Sequence, residues 1–140
     1  MERFLGNNRF IVCIGGKQIS FAKVSNIARV AEYESIAIGG MNLSPYIAVT
    51  QSKQPQTITF ERAVQNKEDI VKKLKPGVHL GKQIEIMVVD TENKKKKIIH
   101  SYYITDGIVT KCEVSQLDAM GNEILIQKLE ITHTGIYQDY

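Results

Sequence analysis

Few side chains in this sequence could carry reactive chemistry. They are Cys13 and Cys112, the histidines His79, His100 and His133, the triplet Gly15-Gly16-Lys17, and the run Lys94–Lys97. A phosphate-binding loop needs a strand, a turn of backbone N–H groups and then a helix. After Gly15-Gly16-Lys17 the chain instead continues as a second strand-like segment, Gln18–Ile27. No two histidines stand at metal-ligand spacing, and there is no Cys-x-x-Cys or Cys/His cluster. Each cysteine lies in an apolar strand-like run, the pattern of a free buried thiol. A core-facing Cys112 is a poor nucleophile because burial disfavours the thiolate. No Ser/His/Asp order is suggested, although triad members meet only in space. The lysine run offers charge for phosphates; as a hairpin tip it is a solvated, self-repelling turn. Base stacking needs exposed aromatics on one face, and the adjacent Tyr102 and Tyr103 point to opposite faces of a strand. The expectation is no enzyme, no metal site and no cofactor.

What the elements position is therefore a surface rather than a reaction. With 140 residues the chain suits one domain, 1–140, with a core that needs no staples. An apolar fraction of 43% and a charged fraction of 24% are ordinary for a globular protein. A net charge of +3 permits contact with nucleic acid without arguing for it. No run reaches the ~18 apolar residues of a membrane span, and the N-terminus lacks a signal-peptide core. Together with the unpaired cysteines this predicts a soluble product made in a reducing cytoplasm, with no membrane partner.

Strand signals dominate. Arg9–Ile14 is a continuous apolar run closed by Gly15-Gly16, which opens a hairpin into Gln18–Ile27, read as a strand with a bulge. Val30–Ile38 follows as a third strand. Gln56–Ala63 alternates, with Ile58 and Phe60 on one face and Thr57, Thr59 and Glu61 on the other. Residues 66–75 predict one short helix: Asn66 caps it, Glu68 and Asp69 open it, Lys72 and Lys73 close it, and Pro76-Gly77 ends it. The segments 83–89, 97–105, 108–117 and 123–132 are further strands joined by short turns, as antiparallel neighbours are. The fold expected is mainly β, a sandwich or barrel of about seven or eight antiparallel strands, with one short α-helix.

One segment resists this scheme. Between strands, residues 38–54 carry Ile38, Gly39, Gly40, Met41, Asn42, Leu43, Tyr46, Ile47 and Val49 with no clear period. Loops are normally polar because they lie in water. An apolar excursion that a small domain cannot cover is a candidate subunit interface, and those nine residues are its candidates.

Taken together, four segments resemble one family: 10–27 (FIVCIGGKQISFAKVSNI), 32–42 (EYESIAIGGMN), 56–64 (QTITFERAV) and 106–136 (DGIVTKCEVSQLDAMGNEILIQKLEITHTGI). Their order looks like that of tail tube proteins of contractile, myovirus-type bacteriophage tails. The relatives include the inner tubes of phage-like bacteriocins and other contractile injection systems. The resemblance runs from about residue 9 to 136 and lies in the order of the motifs more than in any one. It implies two packed antiparallel sheets or a barrel with one flanking helix, and hexameric rings stacked into a hollow conduit inside a sheath. The implied partners are further copies of the chain, a sheath protein, and tape-measure, baseplate and tail-terminator proteins. DNA would be at most a transient passenger. Assembly would take place in a bacterial host cytoplasm, into a virion or phage-like particle tail. It also implies that residues 38–54 reach adjoining subunits. The chain departs from many relatives in having no tryptophan; Tyr102 and Tyr103 stand roughly where theirs occur. Two alternatives stay open here: a baseplate tube-initiator of the same fold, and a small basic β-barrel that holds nucleic acid. If the chain forms a conduit, its lumen wall should be mixed or acidic in charge rather than strongly basic. On the last long strand Leu125, Leu129 and Ile131 are then the core face, and Ile124, Lys128, Glu130 and Thr132 the strip toward the lumen.

Overall fold

A computed structural model describes residues 6, 9–29, 32–36, 46–50, 54–64, 74–81, 83–92 and 95–138. They form β1 (Phe10–Ile14), β2 (Lys17–Ile19), β3 (Lys23–Ser25), β4 (Glu32–Ile36), β5 (Tyr46–Thr50) and β6 (Gln56–Ala63). They continue as β7 (His79–Leu80), β8 (Ile84–Glu92), β9 (Lys95–Ile104), β10 (Gly107–Val114), β11 (Ile126–His133) and β12 (Ile136–Gln138). One antiparallel sheet has the order β12-β9-β8-β1-β2 and a second the order β3-β6-β11-β10-β7, while β4 and β5 pair with each other as a separate ribbon.

The two large sheets enclose one core. Val12, Ile14, Ile84, Ile86, Ile104 and Ile136 face it from the first sheet, and Ile58, Phe60, Val109, Leu129 and Ile131 from the second. Alternation does this. In β6 Ile58 and Phe60 are buried while Thr57, Thr59 and Glu61 are not, as the sequence pattern predicts. Arg62 and His133 follow the same period, two residues beyond Phe60 and Ile131, and are buried at opposite ends of the β6–β11 pair.

Gly15 and Gly16, both at positive φ, make the two-residue turn between β1 and β2. That is the hairpin geometry only small residues enter readily, so the triplet with Lys17 is a turn and not a phosphate loop. The segment 18–27, expected as one bulged strand, is two strands. β2 belongs to the first sheet and β3 to the second, because the chain turns the corner between them at 20–22. Bulges lie instead in β10, between Val109 and Lys111, and in β9, between Ile98 and His100. β7 and β12 carry no local signal; they are edge strands held by β10 and β9. Of the expected helix 66–75, residues 66–73 lie outside the described residues; Leu74 and Lys75 are irregular, and Leu74 is buried in the core.

Candidate assembly surfaces

The residues first considered for chemistry are dispersed. His79 is on β7, His100 on β9 near Gln138 (Nε2 to Nδ1, 3.3 Å), and His133 is buried on β11. Burial pushes the His133 imidazole below its usual 6.5, with the Gly135 backbone opposing that weakly. Among the described residues no group of three or more His, Cys, Asp or Glu could hold a metal, and no helix is long and apolar enough to cross a membrane.

Both cysteines are free, but Cys13 is only half-buried and Cys112 is exposed, against the expectation of core thiols. Cys112 pairs in register with Leu129, yet it lies past the bulge, in the half of β10 that the core does not cover. Its Sγ donates to the Leu74 carbonyl at 3.2 Å. Desolvation raises both thiols, and Glu85 raises Cys13 further. Neither is an activated nucleophile.

Of the lysine run, Lys94 lies outside the described residues and the rest is not a hairpin tip. Lys95–Lys97 belong to β9, where register sets Lys95 opposite Glu92 and Lys97 opposite Asp90. Tyr102 packs against the core, whereas Tyr103 stacks on Tyr137 with centroids 5.4 Å apart, so the two do point to opposite faces.

Of the candidate interface residues, Ile38, Gly39, Gly40, Met41, Asn42 and Leu43 lie outside the described residues. Tyr46, Ile47 and Val49 are on β5, which pairs with β4 from Ile36↔Tyr46 to Glu32↔Thr50. The excursion is therefore in part a two-stranded ribbon. Ile47 and Val49, two residues apart and so on one face, are 64% and 75% exposed. Among the described residues the ribbon hydrogen-bonds to neither large sheet. Two-stranded ribbons are marginal alone, and this one shows apolar side chains to water.

The outer face of the β3-β6-β11-β10 sheet has a different character. Register sets Lys23 and Lys128 opposite Glu61, Lys111 opposite Glu130, and Glu113 opposite Lys128. Three lysines and three glutamates leave this face with no net charge. Lys128 Nζ lies 3.4 Å and Lys23 Nζ 3.8 Å from Glu61, and Lys111 is 3.3 Å from Glu113. A threonine row continues it: Thr110 and Thr132 hydroxyls are 3.0 Å apart, and those of Thr57 and Thr132 3.5 Å. Lys128, Glu130 and Thr132 share this face as expected. Ile124 and Leu125 do not belong to the strand, because β11 begins at Ile126.

That late start lengthens the β10–β11 connection to residues 115–125. Ser115 N donates to the Ile126 carbonyl at 2.8 Å and Ile126 N to Ser115 Oγ at 2.9 Å, which closes the neck. Asp118 holds the tip, accepting from Met120 N and Gly121 N at 3.0 Å each. Leu117, Met120 and Ile124 are 78%, 91% and 71% exposed. This apolar tip was not anticipated, although its letters were visible; turn residues around it masked the signal.

A family model described as T4-like virus tail tube protein gp19 matches residues 6–137. Among solved structures, the anti-feeding prophage tube-terminating cap superposes with a TM-score of 0.84 at 18% identity, covering 99% of this chain and 93% of that one. The sheath–tube complex of an extracellular contractile injection system, PVC, gives 0.84 at 20% identity, with 99% and 93% covered. Hcp1 from Salmonella typhimurium gives 0.54 at 17% identity, with 94% and 85% covered. At these identities the likeness is one of fold. No curated protein matches the chain.

Proposed function

The chain belongs to the T4-like virus tail tube protein gp19 family, and from that membership we propose that it is the inner-tube subunit of a contractile phage tail or phage-like injection particle. In this reading it closes into hexameric rings that stack as a hollow conduit inside a sheath, and it is a structural protein rather than an enzyme. A head-to-tail ring closes only if each copy presents two different complementary surfaces. The observation that carries the proposal is the β4–β5 ribbon, which pairs with itself and exposes Ile47 and Val49. A neighbouring copy would cover it, with residues 38–54 as a whole forming the contact.

The charge-balanced outer face of the β3-β6-β11-β10 sheet supports a lumen role. A conduit that grips phosphates would stall its passenger, and a wall with alternating lysine and glutamate has no net pull on them. DNA would pass without being held, if the particle carries any. The sheath would surround the opposite side, and tape-measure, baseplate and terminator proteins would meet the tube inside and at its ends. The particle would be assembled in a bacterial host cytoplasm.

Negative-stain microscopy and sedimentation of the purified chain test this. Rings or tubes are expected, and Ile47→Asp with Val49→Asp should leave a folded monomer that no longer assembles. A wild-type chain that stays monomeric at high concentration would overturn the proposal; tubes of normal length from the double variant would remove the ribbon from the interface. A second reading rests on the likeness to a tube-terminating cap: the chain ends or starts a tube. It predicts single rings that never elongate.

A further inference from the structure

Two further features are complementary to each other. The first is the tip of the β10–β11 loop. Its three exposed apolar side chains, Leu117, Met120 and Ile124, stand on a neck closed by backbone hydrogen bonds and a turn held by Asp118. Large exposed apolar side chains grouped on a preformed tip mark an interaction site. Residues 115–125 contain two carboxylates, Asp118 and Glu123, and no basic residue.

The second is a cleft of about 750 Å³ at the β1–β3 side of the sandwich, where the sheets part. Phe10, Ile86 and Val88 line it from the first sheet, Phe21 from the corner, Val24 from β3 and Ile27 from the segment after β3. The charged residues on it are Arg9 and Lys23; no carboxylate lines it among the described residues. Lys23 is two-thirds exposed, and its 3.8 Å approach to Glu61 leaves it free to turn to another acid.

We infer that the β10–β11 tip of one copy of this chain seats in the β1–β3 cleft of another, its apolar side chains against Phe21, Ile27 and Val88 and its carboxylates toward Arg9 and Lys23. The occupant is a second copy because the apolar character and the sign of charge match, and because the tip is exposed within its own molecule. The contact joins two different surfaces, so it is heterologous and propagates, as a ring or stack requires. It rests on the proposed self-assembly and names a second contact besides the ribbon.

Cross-linking tests it. In a Cys13→Ser, Cys112→Ser background, a tagged chain with Met120→Cys is mixed with an untagged chain with Ile27→Cys and oxidised with copper phenanthroline. Linked peptides are identified by mass spectrometry. The expected product is a disulfide between positions 120 and 27 of different chains. Independently, Asp118→Lys with Glu123→Lys should weaken association about tenfold or more, since it sets like charges facing each other across the interface. Arg9→Glu with Lys23→Glu added in the partner should restore it. Rings or tubes that form without the 120–27 bond overturn the inference and leave the tube reading intact. So does linkage of Ile27→Cys to a Val49→Cys ribbon instead. A chain that neither assembles nor cross-links overturns both.

Discussion

Two residues show how the core constrains single side chains. His133 is almost fully buried, and the desolvation makes its imidazole resist protonation in the folded state. Its folded value lies below the unfolded 6.5, so the unfolded chain binds the proton first as pH falls. Stability is therefore whole above 6.5 and declines as pH drops below it. Urea denaturation between pH 7.5 and 5 should show that decline, and His133→Leu should flatten it; an unchanged slope would mean the group titrates normally. Gly107 is constrained by space. A Cβ there would sit 2.9 Å from Ile131 Cγ2 and 3.4 Å from Ile84 Cδ1, one in each sheet. Gly107→Ala overpacks the point where β10 leaves the corner after Asp106, and a loss of about 1–3 kcal/mol is expected in the same denaturation experiment.

Among the elements, the strands differ in what secures them. β8, β1, β6 and β11 are each paired on both sides, and their inward residues are almost fully buried. The β4–β5 ribbon has one hydrogen-bonded partner per strand and no share in the core cluster among the described residues. Local opening free energy follows such differences. Hydrogen exchange should find the amides of residues 32–36 and 46–50 fast in the monomer and strongly slowed in assembled material. Those of residues 58–60 and 129–131 should stay slow in both. Equal ribbon exchange before and after assembly would argue that no neighbour covers it. The ribbon was half legible: Val30–Ile38 reads as a strand, but Ser44-Pro45 ahead of β5 disguised Tyr46–Thr50 as part of a loop. Its pairing with β4 could not be read locally, since nine residues, two of them glycines, separate the strands.

For the whole molecule, the separation of an apolar interior from a charge-balanced sheet face is the property that suits a conduit. Replacing Glu61, Glu113 and Glu130 with lysine would turn three lysines and three glutamates into an all-basic face. Tubes of that variant should bind DNA nonspecifically, with affinity falling steeply as salt rises, while wild-type tubes should not. Filter binding across a salt series measures this. Equal, weak binding by both would place the face away from any passenger's path.

Composition and period were enough to set the antiparallel β class and to pick out Ile58 and Phe60 of β6 and Leu129 and Ile131 of β11 as inward residues. These properties are local: a period of two shows in any short window. The order of motifs was enough to point to the tail tube family. Tertiary structure decided the rest. It broke 18–27 between two sheets and placed Cys112 outside the core. It set Lys95 and Lys97 opposite acidic residues and began β11 late enough to leave an apolar tip on the β10–β11 loop. Each of these depends on which distant strand lies alongside, and register between strands far apart in sequence is set by packing of the whole core.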